Sequence, residues 1–182
     1  MPRRLEVPDL GDDVVHLEPL AASLTPEFSW VTDGDEGINE YTRIPTGADR
    51  SFLESWLGRY ETGWVDESRA GFAIRPAGGG AVVGFAAFVS LDLPAKQGEI
   101  GYAVAPDGRG RGVATRAVDL LTHWGFETLA LERIELWIDV RNEASARVAE
   151  RCGYRLDGVL RSMHFKEGRR QDFAIWSRLA TD

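Results

Sequence analysis

The sequence predicts an α/β fold, one domain with a mixed central sheet and flanking helices. Three observations carry that expectation. Strand candidates joined by a glycine-rich hairpin turn occupy residues 70–104, and a proline- and glycine-rich turn then runs straight into a long helical pattern. A strand, a short helix and two closing strands follow. With 182 residues and 43% hydrophobic content the chain can bury one substantial core. Neither a linker nor an internal repeat divides it, so a single domain over 1–182, with its core at about 14–179, is expected.

Residues 14–17 start a strand that Pro19 should stop or turn. Residues 21–45 mix proline, glycine and acids with Phe28, Trp30 and Tyr41, the pattern of short helices or a loop over the core. From Asp49, the apolar positions Phe52, Leu53, Trp56, Leu57 and Tyr60 recur at helical spacing, with Gly63 as the stop. This helix is expected at one mouth of the sheet, where it would shape an acceptor site. Residues 70–75 and 81–89 read as a hairpin around the turn at 76–80, and 98–104 as a further strand.

Beyond the turn at 106–112, Val113, Ala117, Leu120, Leu121, Trp124 and Leu129 fit one buried helix face, with Gly125 as a bend or early end. Residues 133–140 alternate as a strand, and 142–151 form a short helix. Residues 154–160 and 172–179 close the sheet, with Gly168 turning the polar connection between them.

Charge and composition exclude several functions. Lysine and arginine total 21 against 29 acidic residues, a net charge of −8 that opposes a broad nucleic-acid footprint and suits a basic or amine-bearing partner. The single cysteine, Cys152, makes no internal disulfide, which points to a reducing compartment. The opening Met1-Pro2-Arg3-Arg4-Leu5 lacks the apolar stretch of a signal peptide, and no run nears the roughly 20 apolar residues that cross a bilayer. A cytoplasmic location with no membrane partner is therefore expected. His16, His123 and His164 are scattered, so no metal site is expected. Monomer and homodimer stay equally open.

The most informative segment is Val104-Ala105-Pro106-Asp107-Gly108-Arg109-Gly110-Arg111-Gly112-Val113-Ala114. Glycines let a backbone turn tightly and approach a ligand, and the free amides that open the following helix can point at a diphosphate. Arg109 and Arg111 can add charge-assisted contacts. The segment is neither a P-loop nor the dinucleotide fingerprint, because it lacks the lysine of the first and the spacing of the second. Read without its context, it is also a plain glycine turn capping a helix.

The chain resembles the GCN5-related N-acetyltransferase (GNAT) superfamily. Arg109, Gly112 and Ala114 match that family's cofactor signature in its strand–turn–helix setting. The resemblance is closer to the group that acetylates ribosomal-protein N-termini. Glu99-Ile100-Gly101-Tyr102 precedes the turn, Asn142 and Ser145 open the next helix, and Gly153-Tyr154 follows it. Arg161 and Gln171-Asp172-Phe173-Ala174-Ile175-Trp176 resemble the closing pattern. The likeness implies acetyl-CoA as cosubstrate and a sheet whose two central parallel strands, about 99–104 and 134–140, splay apart to admit the pantetheine arm.

The same resemblance implies residue roles. Val104, Arg109, Gly110, Arg111, Gly112, Val113, Ala114, Asn142 and Ser145 would bind the carrier. Ser145 would lie near the sulfur, to donate a proton or hold a water, and Glu99 would take the amine's proton directly or through water. From the residues themselves, Asn142 serves equally as a helix cap worth about 1 kcal/mol. Likewise, Ser145 serves as an ordinary helix-start hydroxyl and Glu99 as a strand-edge acid.

Asp172 reads chiefly as a structural partner, Tyr102 and Tyr154 as walls of the site, and Cys152 as packing. The acceptor is expected to be a primary amine, either a ribosomal-protein N-terminus or a small molecule. A protein N-terminus has a reference pKa of about 7.7–8.0 against about 10.4 for lysine, so it is more readily neutral near pH 7. A CoA-binding sensor or interaction module is the non-enzymatic alternative.

Overall fold

A computed structural model describes residues 5–182; Met1–Arg4, read above for a signal segment, lie outside the described residues. The sheet has eight strands. β1 (Leu10–Gly11) and β2 (Val15–Pro19) form a small hairpin whose turn is closed by Asp12, its carboxylate accepting from the amides of Val14 and Val15 at 2.7 and 2.8 Å. A 3-10 segment (Ala22–Val31) and α1 (Glu36–Tyr41) fill the region that lacked a clear pattern, and α2 (Arg50–Asp66) is the helix expected from Asp49. Asp35 and Asp49 cap the two helices, accepting from Ile38 N and Phe52 N at 2.8 Å each.

β3 (Ala70–Pro76), β4 (Gly84–Asp92) and β5 (Gln97–Val104) run antiparallel, and α3 (Val113–Glu127) carries the chain to β6 (Arg133–Asp139), parallel to β5. After α4 (Glu143–Arg151), β7 (Arg155–Lys166) and β8 (Arg169–Leu179) return as a hairpin with β8 next to β6, giving the order β1-β2-β3-β4-β5-β6-β8-β7. β7 is left at the edge with Leu156, Val159, Leu160, Met163 and Phe165 exposed.

The period-2 alternation of β3 and β4 divides the core. Phe72, Ile74, Ala86 and Phe88 face α3, packing with Val118, Leu121 and Trp124. Ala73, Phe85 and Ala87 face the other way, onto Phe28, Leu53, Trp56 and Leu57 of the 3-10 segment and α2. At about 25 cal/mol per Å² of apolar surface, burial on both faces is what holds the helical layers to the sheet.

Several boundaries differ from the sequence expectation. Gly63 does not stop α2 but lies inside it, where a Cβ would come within 2.6 Å of the Arg69 Cβ, and the helix ends at Glu67 in the left-handed region (φ 60°). Gly125 neither bends nor ends α3. It lets the helix lie close to the sheet, where a Cβ would meet Ile134 and Phe88 at 2.8 Å. The second hairpin strand begins at Gly84 rather than residue 81, and the closing strands run longer than 154–160 and 172–179, meeting at the Gly168 turn. Pro19 ends β2 from inside it.

Candidate functional site

The parallel pairing of β5 with β6 covers only Gln97↔Arg133, Gly98↔Ile134 and Glu99↔Glu135. Beyond Glu99 the strands part, as the family resemblance implied. A cavity of about 840 Å³ opens from this cleft, within the range that holds a cofactor-sized ligand. One wall is β5, the following turn and the starts of α3 and α4; the other is α1, α2 and the turn at 42–45.

The turn wall is made of backbone. Gly110 (φ 75°) and Gly112 (φ 77°) occupy the left-handed region, and a Cβ at either would meet nothing within 4 Å. Conformation, not space, requires glycine there. Gly112 is the N-cap of α3 without a side-chain cap, and the ladder begins with Arg116 N donating to Gly112 O at 3.0 Å. The amides of Val113, Ala114 and Thr115 therefore precede the ladder, and all three residues line the cavity with Val104, Gly110 and Gly112. An anionic diphosphate fits this wall.

The arginines of the turn behave differently from each other. Arg109 lines the cavity, but its guanidinium is held by Asp35 in a two-pronged pair of 2.6 and 3.1 Å, and its Nε donates to Val104 O at 3.0 Å. The hydrogen bond from Arg109 holds the Asp35 carboxyl below the ordinary value, against the opposing effect of burial. Arg109 thus ties α1 to the end of β5. Arg111 is exposed and lies outside the cavity lining.

On α4, Asn142 is the N-cap, its Oδ1 accepting from Ser145 N at 3.1 Å, so the capping reading holds; both residues also line the cavity. The Tyr102 hydroxyl donates to Ser145 O at 3.4 Å, which bridges the parted strand to the helix start. Tyr154, expected in the site wall, instead lies buried behind it with its hydroxyl 2.7 Å from Thr122 Oγ1. A tyrosine after the helix-ending Gly153 turns back toward α3 rather than into the cleft.

Asp172 accepts from Ser162 N at 2.7 Å and is structural. Cys152 is buried, its thiol pushed up to about 12 by burial and bonded to Thr115 O at 3.4 Å, which fits packing and not nucleophilic chemistry.

Glu99 stands at the point where the strands part. Its side chain is 16% exposed, and burial raises its pKa above the ordinary 4.5, a rise that the Arg43 guanidinium opposes and the neighbouring Glu135 adds to. Arg43 Nη2 reaches Glu99 Oε1 at 2.7 Å while its guanidinium lies over the Trp137 ring at 5.4 Å. Glu135 is itself held by Arg133 Nε and Trp137 Nε1, each at 2.7 Å.

Arg43 rides on a latched turn. Lys166, from the end of β7, donates to Asn39 O and, at 2.7 and 2.8 Å, to Thr42 O and Ile44 O. Sequence reading missed Arg43, the Trp137 stack and Lys166, since their partners are 56 to 127 positions away and no local spacing marks them.

A mixed α/β sheet that parts beside an amide-lined turn can receive an anionic ligand in the cleft between two strands. The chain belongs to the GNAT acetyltransferases: the family model described as Acetyltransferase (GNAT) domain matches residues 15–155. YdaF of Bacillus subtilis (strain 168), by its name a candidate ribosomal N-acetyltransferase, is 33% identical over 100 residues, 55% of each chain. The spermidine N(1)-acetyltransferase of Escherichia coli (strain K12) is 28% identical over 103 residues, 57% of this chain and 54% of that one. The chain spans about half the length of the curated relatives it matches.

The microcin C7 self-immunity acetyltransferase MccE, solved with acetyl-CoA and AMP, shares the fold at a TM-score of 0.83 and 22% identity, covering 92% of this chain and 93% of that one. No helix of the described residues is long and apolar enough to cross a membrane.

Proposed function

We propose that the chain, as one N-acetyltransferase domain over residues 1–182, transfers an acetyl group from acetyl-CoA directly to a primary amine. The observation that carries this reading is the continuity of one cavity from the amide wall at 112–115, through the parted strands, to the largely buried carboxylate of Glu99. Bound acetyl-CoA would supply the thioester carbonyl that a neutral amine attacks.

The chain's own residues divide the remaining work. Val104, Gly110 and Gly112 with the amides of Val113 and Ala114 hold the diphosphate, Arg109 and Arg111 contribute positive field, and Asn142 presents the start of α4 to the carrier arm. Ser145 lies where the leaving thiol would need a proton or an ordered water. Glu99, its affinity for a proton raised by burial, receives the amine's proton once Arg43 yields its place. Backbone donors lining the cleft stabilise developing negative charge.

A ribosomal-protein N-terminus is the acceptor suggested by the YdaF likeness, and the spermidine relative supports a small-molecule amine as the other reading. The protein is proposed to work in the cytoplasm. A turnover screen with acetyl-CoA against N-terminal peptides and small amines, with the mass of each product measured, tests the reading. Acetylated amine is the expected result; tight acetyl-CoA binding with no amine-dependent release of CoA would instead support a sensor.

A further inference from the structure

The acceptor end of the cavity carries a charge pattern opposite to that of the whole chain. Three arginines line it: Arg43 from the latched turn, Arg59 from α2 and Arg69 from just before β3. The carboxylates lining the same cavity are Glu99 and Asp139. Glu99 is paired with Arg43, and Asp139 is bound through both oxygens by Arg141 at 2.9 and 2.6 Å. Among the described residues neither Arg59 nor Arg69 forms an ion pair, and Arg69 is oriented by its Nε donating to Val89 O at 3.1 Å, which leaves its outer nitrogens unused by that bond.

Arg59, Arg69, Tyr60 and Glu99 all line this one cavity. Burial pushes the Tyr60 phenol up to about 12, Arg59 and Arg69 oppose that rise, and Glu99 adds to it.

Resting on the acetyl-transfer reading, we infer that the acceptor is an anionic primary amine, whose carboxylate or phosphate is received by Arg59 and Arg69 while its amino group faces Glu99. A pocket with two guanidinium groups free of carboxylates rewards an anion by charge-assisted hydrogen bonds and repels a polycation, because a partly enclosed cavity strengthens both interactions. Selection thus includes a repulsive element against polyamines as well as an attractive one. The net charge of −8 suggested a basic partner, and the local field of the pocket runs the other way.

The test compares initial rates on matched amines that differ by one charge. One pair is a short peptide with N-terminal Ser-Asp against Ser-Asn, another is aminoethyl phosphate against aminoethanol, and spermidine is the polycation. The expected kcat/KM favours the anionic member of at least one pair by about tenfold or more, the scale of one charge-assisted hydrogen bond, with spermidine slowest. The pair that shows the preference separates a peptide source of the anion from a small-molecule one.

Arg59→Gln and Arg69→Gln should bring the ratio toward one through KM, and Arg59→Lys should keep most of it. Thermal melts report folding; since Arg69 supports Val89, the exposed Arg59 carries the test if Arg69→Gln unfolds. Equal rates within both pairs, or a preference for spermidine, would overturn the anion subsite and leave acetyl transfer standing. No turnover with any amine, while acetyl-CoA still binds, would overturn both.

Discussion

The two walls of the cavity are held by different kinds of interaction. The carrier wall, from Val104 to Ser145, is backbone: a left-handed glycine at an uncapped helix start, and a capped second helix whose bonds join neighbours in the chain. The acceptor wall is placed by side chains reaching far along the sequence, Arg43 to Glu99, Arg109 to Asp35 and Lys166 to the carbonyls at 39–44. The first wall is expected to be rigid and tolerant of surface substitution. The second is adjustable, and its position depends on a few polar contacts.

The sharpest way to test that division is at the seam, where Glu99 belongs to the carrier strand but is paired with the acceptor turn. Glu99→Gln should lower kcat by about 10²-fold or more, the contribution of a positioned general base. It should leave acetyl-CoA affinity intact. In the native protein the base form of Glu99 is lost as pH falls through its folded pKa, which burial has raised, so the acidic limb of kcat/KM, which reports the ligand-free protein, should lie above the ordinary 4.5. Because Arg43 opposes that rise, Arg43→Gln should move the limb to still higher pH, and a pH–rate profile that does not shift would remove Arg43 from the site's electrostatics.

Next in size is a break in the carrier wall. In Gly112→Val there is room for the side chain but not for the backbone, since a residue other than glycine in the left-handed region costs about 1–2 kcal/mol. Relief of that strain would turn the amides of 113–115 away, and calorimetric titration should show acetyl-CoA binding weakened about tenfold. Unchanged affinity would count against the turn as the diphosphate site.

This same contrast decides what was legible in the sequence. The turn, Gly112 and the cap at Asn142 are written in contiguous residues whose conformational demands are local, and the structure has them where they were expected; the parallel pairing of β5 with β6 was implied by the family resemblance alone. Residues 22–45 gave only scattered aromatics, because their helices are short and are ordered by packing on β3 and β4 rather than by their own periodicity, whereas α2 was legible from its own helical spacing. Gly63 and Gly125 were read as breakers, although each is a point of close approach that only the folded neighbours reveal. Arg109 was read for an anion, yet the carboxylate of Asp35, 74 positions away, already holds it.

Smaller effects sharpen the comparison on the acceptor side. Lys166→Met keeps the side chain's bulk but removes the donor shared by three carbonyls, so the turn carrying Arg43 should loosen. The expected signature is faster hydrogen exchange at 39–45 and a several-fold higher KM for the amine, with acetyl-CoA affinity unaltered. A change in acetyl-CoA affinity of the same size would show that the two walls are mechanically coupled and not independent.

The smallest predicted effect lies where the walls meet. Asp35 caps α1 and holds Arg109, so Asp35→Ala should cost about 1 kcal/mol of stability through the lost cap, read by chemical denaturation. The pair is partly exposed, at 43% for Arg109 and 18% for Asp35, and exposed pairs are worth about 0.2–1 kcal/mol. Freed of that partner, Arg109 can turn toward the diphosphate, and acetyl-CoA affinity should rise by no more than about fivefold. If affinity instead falls, the Asp35–Arg109 pair is what shapes the carrier wall, and the division between a backbone wall and a side-chain wall is wrong at this corner.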